Sequence, residues 1–190
     1  MNPCGFALGV GGRFIARAYD LAQKELPEIL KRAHAHKGAS FVEIYQNCIV
    51  YNDGVFADFA GKQAARDAVL WLQPGQPMLF AGGSKGLRLD RERLTLEVVP
   101  VTDGDWRAAG VLAHDETSRA VAQLLIEMPF VNDGFPMALG VIYCDPAPPF
   151  DAAVAAQNLS ASAGKQRDLQ MLLRSGDTWS VAGDRQIGNA

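Results

Sequence analysis

Val42-Glu43-Ile44-Tyr45-Gln46-Asn47-Cys48-Ile49-Val50-Tyr51-Asn52-Asp53-Gly54 decides how this sequence is read. Together with Phe41, its first residues form a mostly apolar run in which Glu43 is the exception, the pattern of a parallel strand covered on both faces. The run then opens into a polar loop that carries a cysteine. A strand feeding a polar loop is where α/β proteins place their chemistry. Upstream, Arg13-Phe14-Ile15-Ala16-Arg17-Ala18 reads as a short strand. The stretch from about Leu26 to His36 reads as a helix. Pro27 suits its first turn, Ile29, Leu30 and Ala33 share one face, and Gly38 stops it. Phe14 to Tyr45 is therefore one β-α-β unit, for which a right-handed crossover is expected.

Beyond the loop, Asp58 is placed to cap a helix reaching about Leu72, ended by Pro74-Gly75. Short strands are expected at Met78–Ala81, Leu87–Asp90 and Thr95–Val101, with Gly82–Gly86 as a turn. A helix from about Thr117 to Glu127 and a strand from Ala138 to Tyr143 follow. From Asp151 the chain is rich in Ala, Ser and Gln. One weak helix is expected there, around Lys165 to Leu173, in an arm that is loosely docked or partly disordered. The fold class is α/β, a mainly parallel sheet flanked by helices with a C-terminal α+β extension. Three segments follow: 1–75 as the α/β part, 76–150 as the extension, 151–190 as the arm.

Composition narrows the function. The 190 residues carry a net charge of −3, 48% hydrophobic and 21% charged residues, ordinary globular values that provide no electrostatic footprint for nucleic acid. No apolar run approaches the ~18 residues of a membrane span, and Met1 to Gly12 lacks the basic start of a signal peptide. Cys4, Cys48 and Cys144 are odd in number and widely spaced. That argues against a disulfide framework and for a reducing, cytoplasmic setting.

Most other motifs fail on their spacing. Gly9-x-Gly11-Gly12-x-Phe14 precedes a strand instead of following one and has Phe at the sixth position, so it is no dinucleotide loop. Gly82-Gly83-Ser84-Lys85 lacks the phosphate-loop spacing. His34 and His36 lie on different faces of their helix. His114-Asp115-Glu116 could do acid–base work, or Asp115 or Thr117 could cap the helix that follows. Asn158-Leu159-Ser160 matches a glycosylation sequon with no secretory signal. On chemistry alone Cys48 is either an iron ligand or a buried thiol, and one cysteine cannot hold a cluster.

The order of several segments resembles one family. Asn2-Pro3, Ala7-Leu8-Gly9 and Phe14-Ile15-Ala16-Arg17 come first. Ala33-His34-x-His36-Lys37-Gly38 with Phe41-Val42-Glu43-Ile44 follows, and then Gln46-Asn47-Cys48-x-x-Tyr51-Asn52-Asp53-Gly54. Lys85-Gly86-Leu87-Arg88-Leu89, His114-Asp115-Glu116 and Ala138-Leu139-Gly140-Val141-Ile142 complete the series. This resembles the β subunit of 2-oxoacid:ferredoxin oxidoreductases, in the 2-oxoglutarate variety, from Asn2 to about Phe150. The resemblance implies a partial thiamine diphosphate-binding-type fold. It also implies oxidative decarboxylation of a 2-oxoacid in partnership with an α subunit. Thiamine diphosphate and Mg2+ serve the acyl chemistry, coenzyme A takes the acyl group, and a [4Fe–4S] cluster passes electrons to ferredoxin. Cys48 would be one cluster ligand, with Asn52 and Asp53 shaping its loop.

The family's other cluster cysteines and its Gly-Asp-Gly…Asn motif for thiamine and Mg2+ are absent from these residues. Asp103-Gly104-Asp105 with Asn132 has the wrong order for that motif. The sequence thus resembles the C-terminal half of a β subunit and is expected to be inactive alone. The alternative is a non-catalytic interaction or assembly module derived from that subunit. A sheet that ends early exposes an edge and apolar side chains. At about 25 cal/mol per Å2, a few hundred Å2 of lost burial is several kcal/mol, comparable to a domain's stability. A marginal, oligomeric or aggregation-prone chain is expected.

Overall fold

The computed structural model describes residues 2–61, 64–129, 134–164, 168–177 and 179. Its elements fall in two compact units, Met1–Pro149 and Phe150–Ala190. In the first unit, α1 (Pro3–Gly9) leads to β1 (Phe14–Tyr19), α2 (Glu25–Ala35) and β2 (Phe41–Tyr45). After the cysteine loop come α3 (Ala57–Ala60), α4 (Ala64–Ala68) and β3 (Val69–Leu72). Then follow β4 (Leu79–Phe80), β5 (Lys85–Asp90), β6 (Thr95–Pro100), α5 (Arg119–Glu127) and β7 (Met137–Cys144). The second unit holds α6 (Phe150–Ser162) and α7 (Leu169–Leu173).

The main sheet has the order β2-β1-β7-β3, and β4-β5-β6 form a second, antiparallel sheet. β1 and β2 run parallel, with Arg17 opposite Glu43 and Tyr19 opposite Tyr45. β3 and β7 are also parallel; only β1 and β7 are antiparallel, with an irregular register between Ile15 and Ala16. The α/β class and the predominance of parallel pairing agree with the sequence reading, as does the β-α-β unit. Both central strands are buried almost end to end, as a sheet covered on both faces requires.

The alternation along β1 sorts the core. Phe14, Ala16 and Ala18 pack with Ile29 of α2 and Val141 on one face. On the other face, Ile15 joins Leu8 of α1, Leu125 and Ile126 of α5, and Met78, Leu87 and Leu96 of the second sheet. α1 starts cleanly because Asn2 accepts a hydrogen bond from Gly5 N–H and Pro3 occupies a first-turn position. Asn2 also donates to the Ile126 carbonyl, tying α1 to α5.

Four local expectations changed. The sequence suggested one helix from Asp58 to Leu72; Val69–Leu72 is instead a strand, because this aliphatic run gains more by pairing with β7 and being buried than by extending a short helix. β2 is only half-buried, with Ile44 at 42% exposure, because it lies at the edge of the sheet. Helix α5 is capped by the Ser118 side chain, which accepts from Val121 N–H. Asp115 makes an Asx-type turn, accepting from both the N–H and hydroxyl of Thr117. In the second unit, α6 occupies a stretch where no helix was expected; Pro149 directly before it suits a helix start. Lys165, the expected start of the weaker helix, lies outside the described residues, and α7 covers Leu169–Leu173. Of the described side chains in α6 and α7, none is buried.

Candidate functional site

The loop that follows β2 is pinned at its base. Tyr45, the last residue of β2, stacks against Phe56 at 5.1 Å between ring centroids, where the loop re-enters α3. Phe59, fully buried, lies 5.8 Å from Tyr45 and 6.3 Å from Tyr19. These aromatic contacts join the loop's two ends over the C-terminal ends of β1 and β2. Within the loop, Asn47 donates to the Asp53 carboxylate at 2.8 Å and accepts from Gly54 N–H at 2.9 Å. Asn52 N–H closes on the Cys48 carbonyl at 3.0 Å. Asp53 braces the loop through its side chain, whereas the recorded bond of Asn52 is through its backbone.

Cys48 is exposed, and its thiol is held below the ordinary value by the backbone N–H groups of Tyr51 first, then Val50 and Asn52. Turned N–H groups around a sulfur favour the thiolate, the form that binds iron. Ile49, Val50 and Tyr51 beside it are 77%, 76% and 90% exposed, an apolar tip around an available thiol. Cys4 and Cys144 differ. Burial pushes the Cys4 thiol up to about 12 and also raises that of Cys144. Among the described residues no group of three or more His, Cys, Asp or Glu side chains is placed to hold a metal ion. Cys48 is thus an exposed thiol that, among the described residues, belongs to no group of three or more such side chains.

The other motifs find ordinary uses. Asp103 and Gly104 both adopt positive φ, and the Asp105 side chain accepts from Ala108 N–H, so the segment is a turn. Asn132 lies outside the described residues. Among the described residues, Asp103 and Asp105 join no group placed to hold a metal ion. His114 is buried and bonds the Val141 carbonyl through Nε2 at 2.9 Å. Burial lowers its pKa against the opposing pull of Glu116 and Asp115. It ties its loop to strand β7.

Sequence reasoning missed a second polar cluster. Arg17 and Glu43, opposite each other on β1 and β2, form an ion pair at 2.8 Å with side chains only 9% and 14% exposed. The Cys4 thiol donates to the same carboxylate oxygen at 3.3 Å, and the Arg17 guanidinium lies 5.7 Å from the Tyr45 ring centroid. The pair borders a cavity of about 410 Å3 whose other walls include Asn2, Leu125, Ile126, Met128 and Met137. The available signal was one charge in each of two otherwise apolar strands, but pairing them requires the register.

The proteins to which this chain is similar are oxidoreductase subunits. Over 187 residues, 95% of its length, the chain is 33% identical to the 2-oxoglutarate oxidoreductase subunit KorB of Mycobacterium tuberculosis, and covers 48% of it. A shorter match, 44% identical over 59 residues, is to the β subunit of 2-oxoacid:ferredoxin oxidoreductase 1 of Aeropyrum pernix, covering 31% of this chain and 19% of that one. A solved structure, 2-oxoglutarate:ferredoxin oxidoreductase from Magnetococcus marinus with 2-oxoglutarate, coenzyme A and succinyl-CoA bound, shares the fold. Its TM-score is 0.56 at 19% identity, over 94% of this chain and 45% of that one. More particularly, then, the chain resembles KorB along nearly its whole length and β subunits of 2-oxoacid:ferredoxin oxidoreductases over a shorter stretch. It spans about half the length of the relatives it matches over that extent. No family model matches the sequence.

Proposed function

We propose that this chain works as part of the β subunit of a 2-oxoacid:ferredoxin oxidoreductase, with 2-oxoglutarate as the substrate and Cys48 as one thiolate ligand of a [4Fe–4S] cluster. The observation that carries the reading is the Cys48 loop: an exposed thiol with a lowered pKa on a loop braced by Asn47 and Asp53 and pinned by Tyr45, Phe56 and Phe59. The likeness to KorB supports the 2-oxoglutarate type. A cluster bound there would carry electrons one at a time towards ferredoxin. This chain's own part is to present the sulfur, direct N–H groups at it and surround it with Ile49, Val50 and Tyr51, which would limit solvent once covered.

The other cluster ligands, the thiamine diphosphate and Mg2+ site, and the contacts to coenzyme A and an α subunit belong, in this reading, to protein beyond these residues. The chain alone is then catalytically silent. The setting is the cytoplasm, where ferredoxin and reduced thiols coexist; no described helix is long and apolar enough to cross a membrane.

The test is Cys48→Ser in the assembled complex purified from its own cells. Loss of iron and of 2-oxoglutarate-dependent ferredoxin reduction, with the subunits still associated, is expected. Unchanged iron content and electron transfer would remove the ligand assignment. In that case the half-exposed edge strand β2 favours a non-catalytic assembly module.

A further inference from the structure

The cavity beside Arg17 has its own chemistry, although Tyr45, which pins the Cys48 loop, also lines it. Arg17 spends only Nε on Glu43. Its two Nη atoms have no hydrogen-bond partner among the described residues, although the side chain is nine-tenths buried. A guanidinium carries a fork of donors matched to a planar oxyanion. Leu125 and Ile126 from α5, with Met128, Met137 and Ala138, form the apolar part of the wall, beside Asn2, Glu43 and Tyr45. Asn2 also lines the space, but its amide is engaged with Ile126 and Gly5.

We propose that this cavity binds a small organic monocarboxylate, with its carboxylate on the Nη edge of Arg17 and its hydrocarbon body against Leu125, Ile126 and Met137. At about 410 Å3 the space falls within the range of small-molecule sites. Fork geometry, not net charge, selects the ligand, because the Arg17–Glu43 pair is already neutral overall. Cys4 and Tyr45, both pushed up to about 12, stay neutral at physiological pH, so the site carries one positive and one negative charge. One added carboxylate uses the unspent donors. A dianionic phosphate would place twice the charge beside Glu43 and leave the apolar wall uncovered.

Butyrate is the probe, in equilibrium dialysis against the full chain in whatever assembly it is isolated. Saturable binding at one site per chain is expected. Arg17→Lys keeps the charge but loses the fork, and should weaken binding roughly tenfold or more. Met128→Trp fills the partly exposed wall without touching the Arg17–Glu43 pair, and should abolish binding in a normally folded protein. Inorganic phosphate should not compete. Absence of saturable butyrate binding, binding unchanged in Met128→Trp, or equal competition by phosphate would each overturn the proposal. If Arg17→Lys does not fold, Met128→Trp decides. None of these outcomes touches the iron content of Cys48→Ser, so this inference and the proposed function fail separately.

Discussion

Among single residues, the three cysteines show how surroundings divide one chemistry. Cys48 is exposed and faces backbone N–H groups that favour its thiolate; Cys4 is buried against Glu43 and stays protonated. In the isolated chain, without metal, iodoacetamide at neutral pH should alkylate Cys48 first and Cys4 last, read by peptide mass. The reverse order would contradict the loop geometry. His114 is a second residue with a testable environment. Burial depresses its folded-state pKa below its ordinary value, so the unfolded chain binds the proton more readily. Stability present above about pH 6.5 should therefore fall as pH drops from there towards the folded pKa. Thermal unfolding at stepped pH values should show this slope, and His114→Gln should flatten it.

Within the elements, packing overrode local preference between Asp58 and Leu72. The expected Asp58–Leu72 helix breaks into α3, α4 and strand β3 because Val69, Leu70 and Leu72 bury against β7. No periodicity in that short apolar run separates a helix end from a strand, and the pairing partner lies far away in sequence. Gly140 of β7 stands opposite both Arg17 and Leu72. Its φ is +114°, and a Cβ there would lie 2.9 Å from the Leu72 carbonyl oxygen. Gly140→Ala should cost roughly 2–4 kcal/mol, from backbone strain plus overpacking. A shift in the urea midpoint would measure this, and a neutral result would refute the close approach.

For the molecule as a whole, β2 ends the sheet with one side unpaired, and apolar groups lie in the open at Ile44 and at Ile49 to Tyr51. An exposed edge of this kind invites pairing with another chain. The isolated chain should associate as its concentration rises, seen by sedimentation velocity. A stable monomer with one cooperative unfolding transition would count against it.

Much of this was legible from residues alone. Strand, helix and strand from Phe14 to Tyr45 were readable because their signals are local: apolar alternation, Pro27 in a first turn, Gly38 at a helix end. The Cys48 loop was readable because its polar residues follow the strand directly. The sequence by itself thus determined the α/β class, the β-α-β unit and the place of the candidate thiol. Only the tertiary structure decided that β2 is an edge, that Val69–Leu72 is a strand, that Cys4 is sealed while Cys48 is open, and that Arg17 meets Glu43 beside a cavity. Each depends on partners distant along the chain, and no local pattern records which partner a strand or a charge will find.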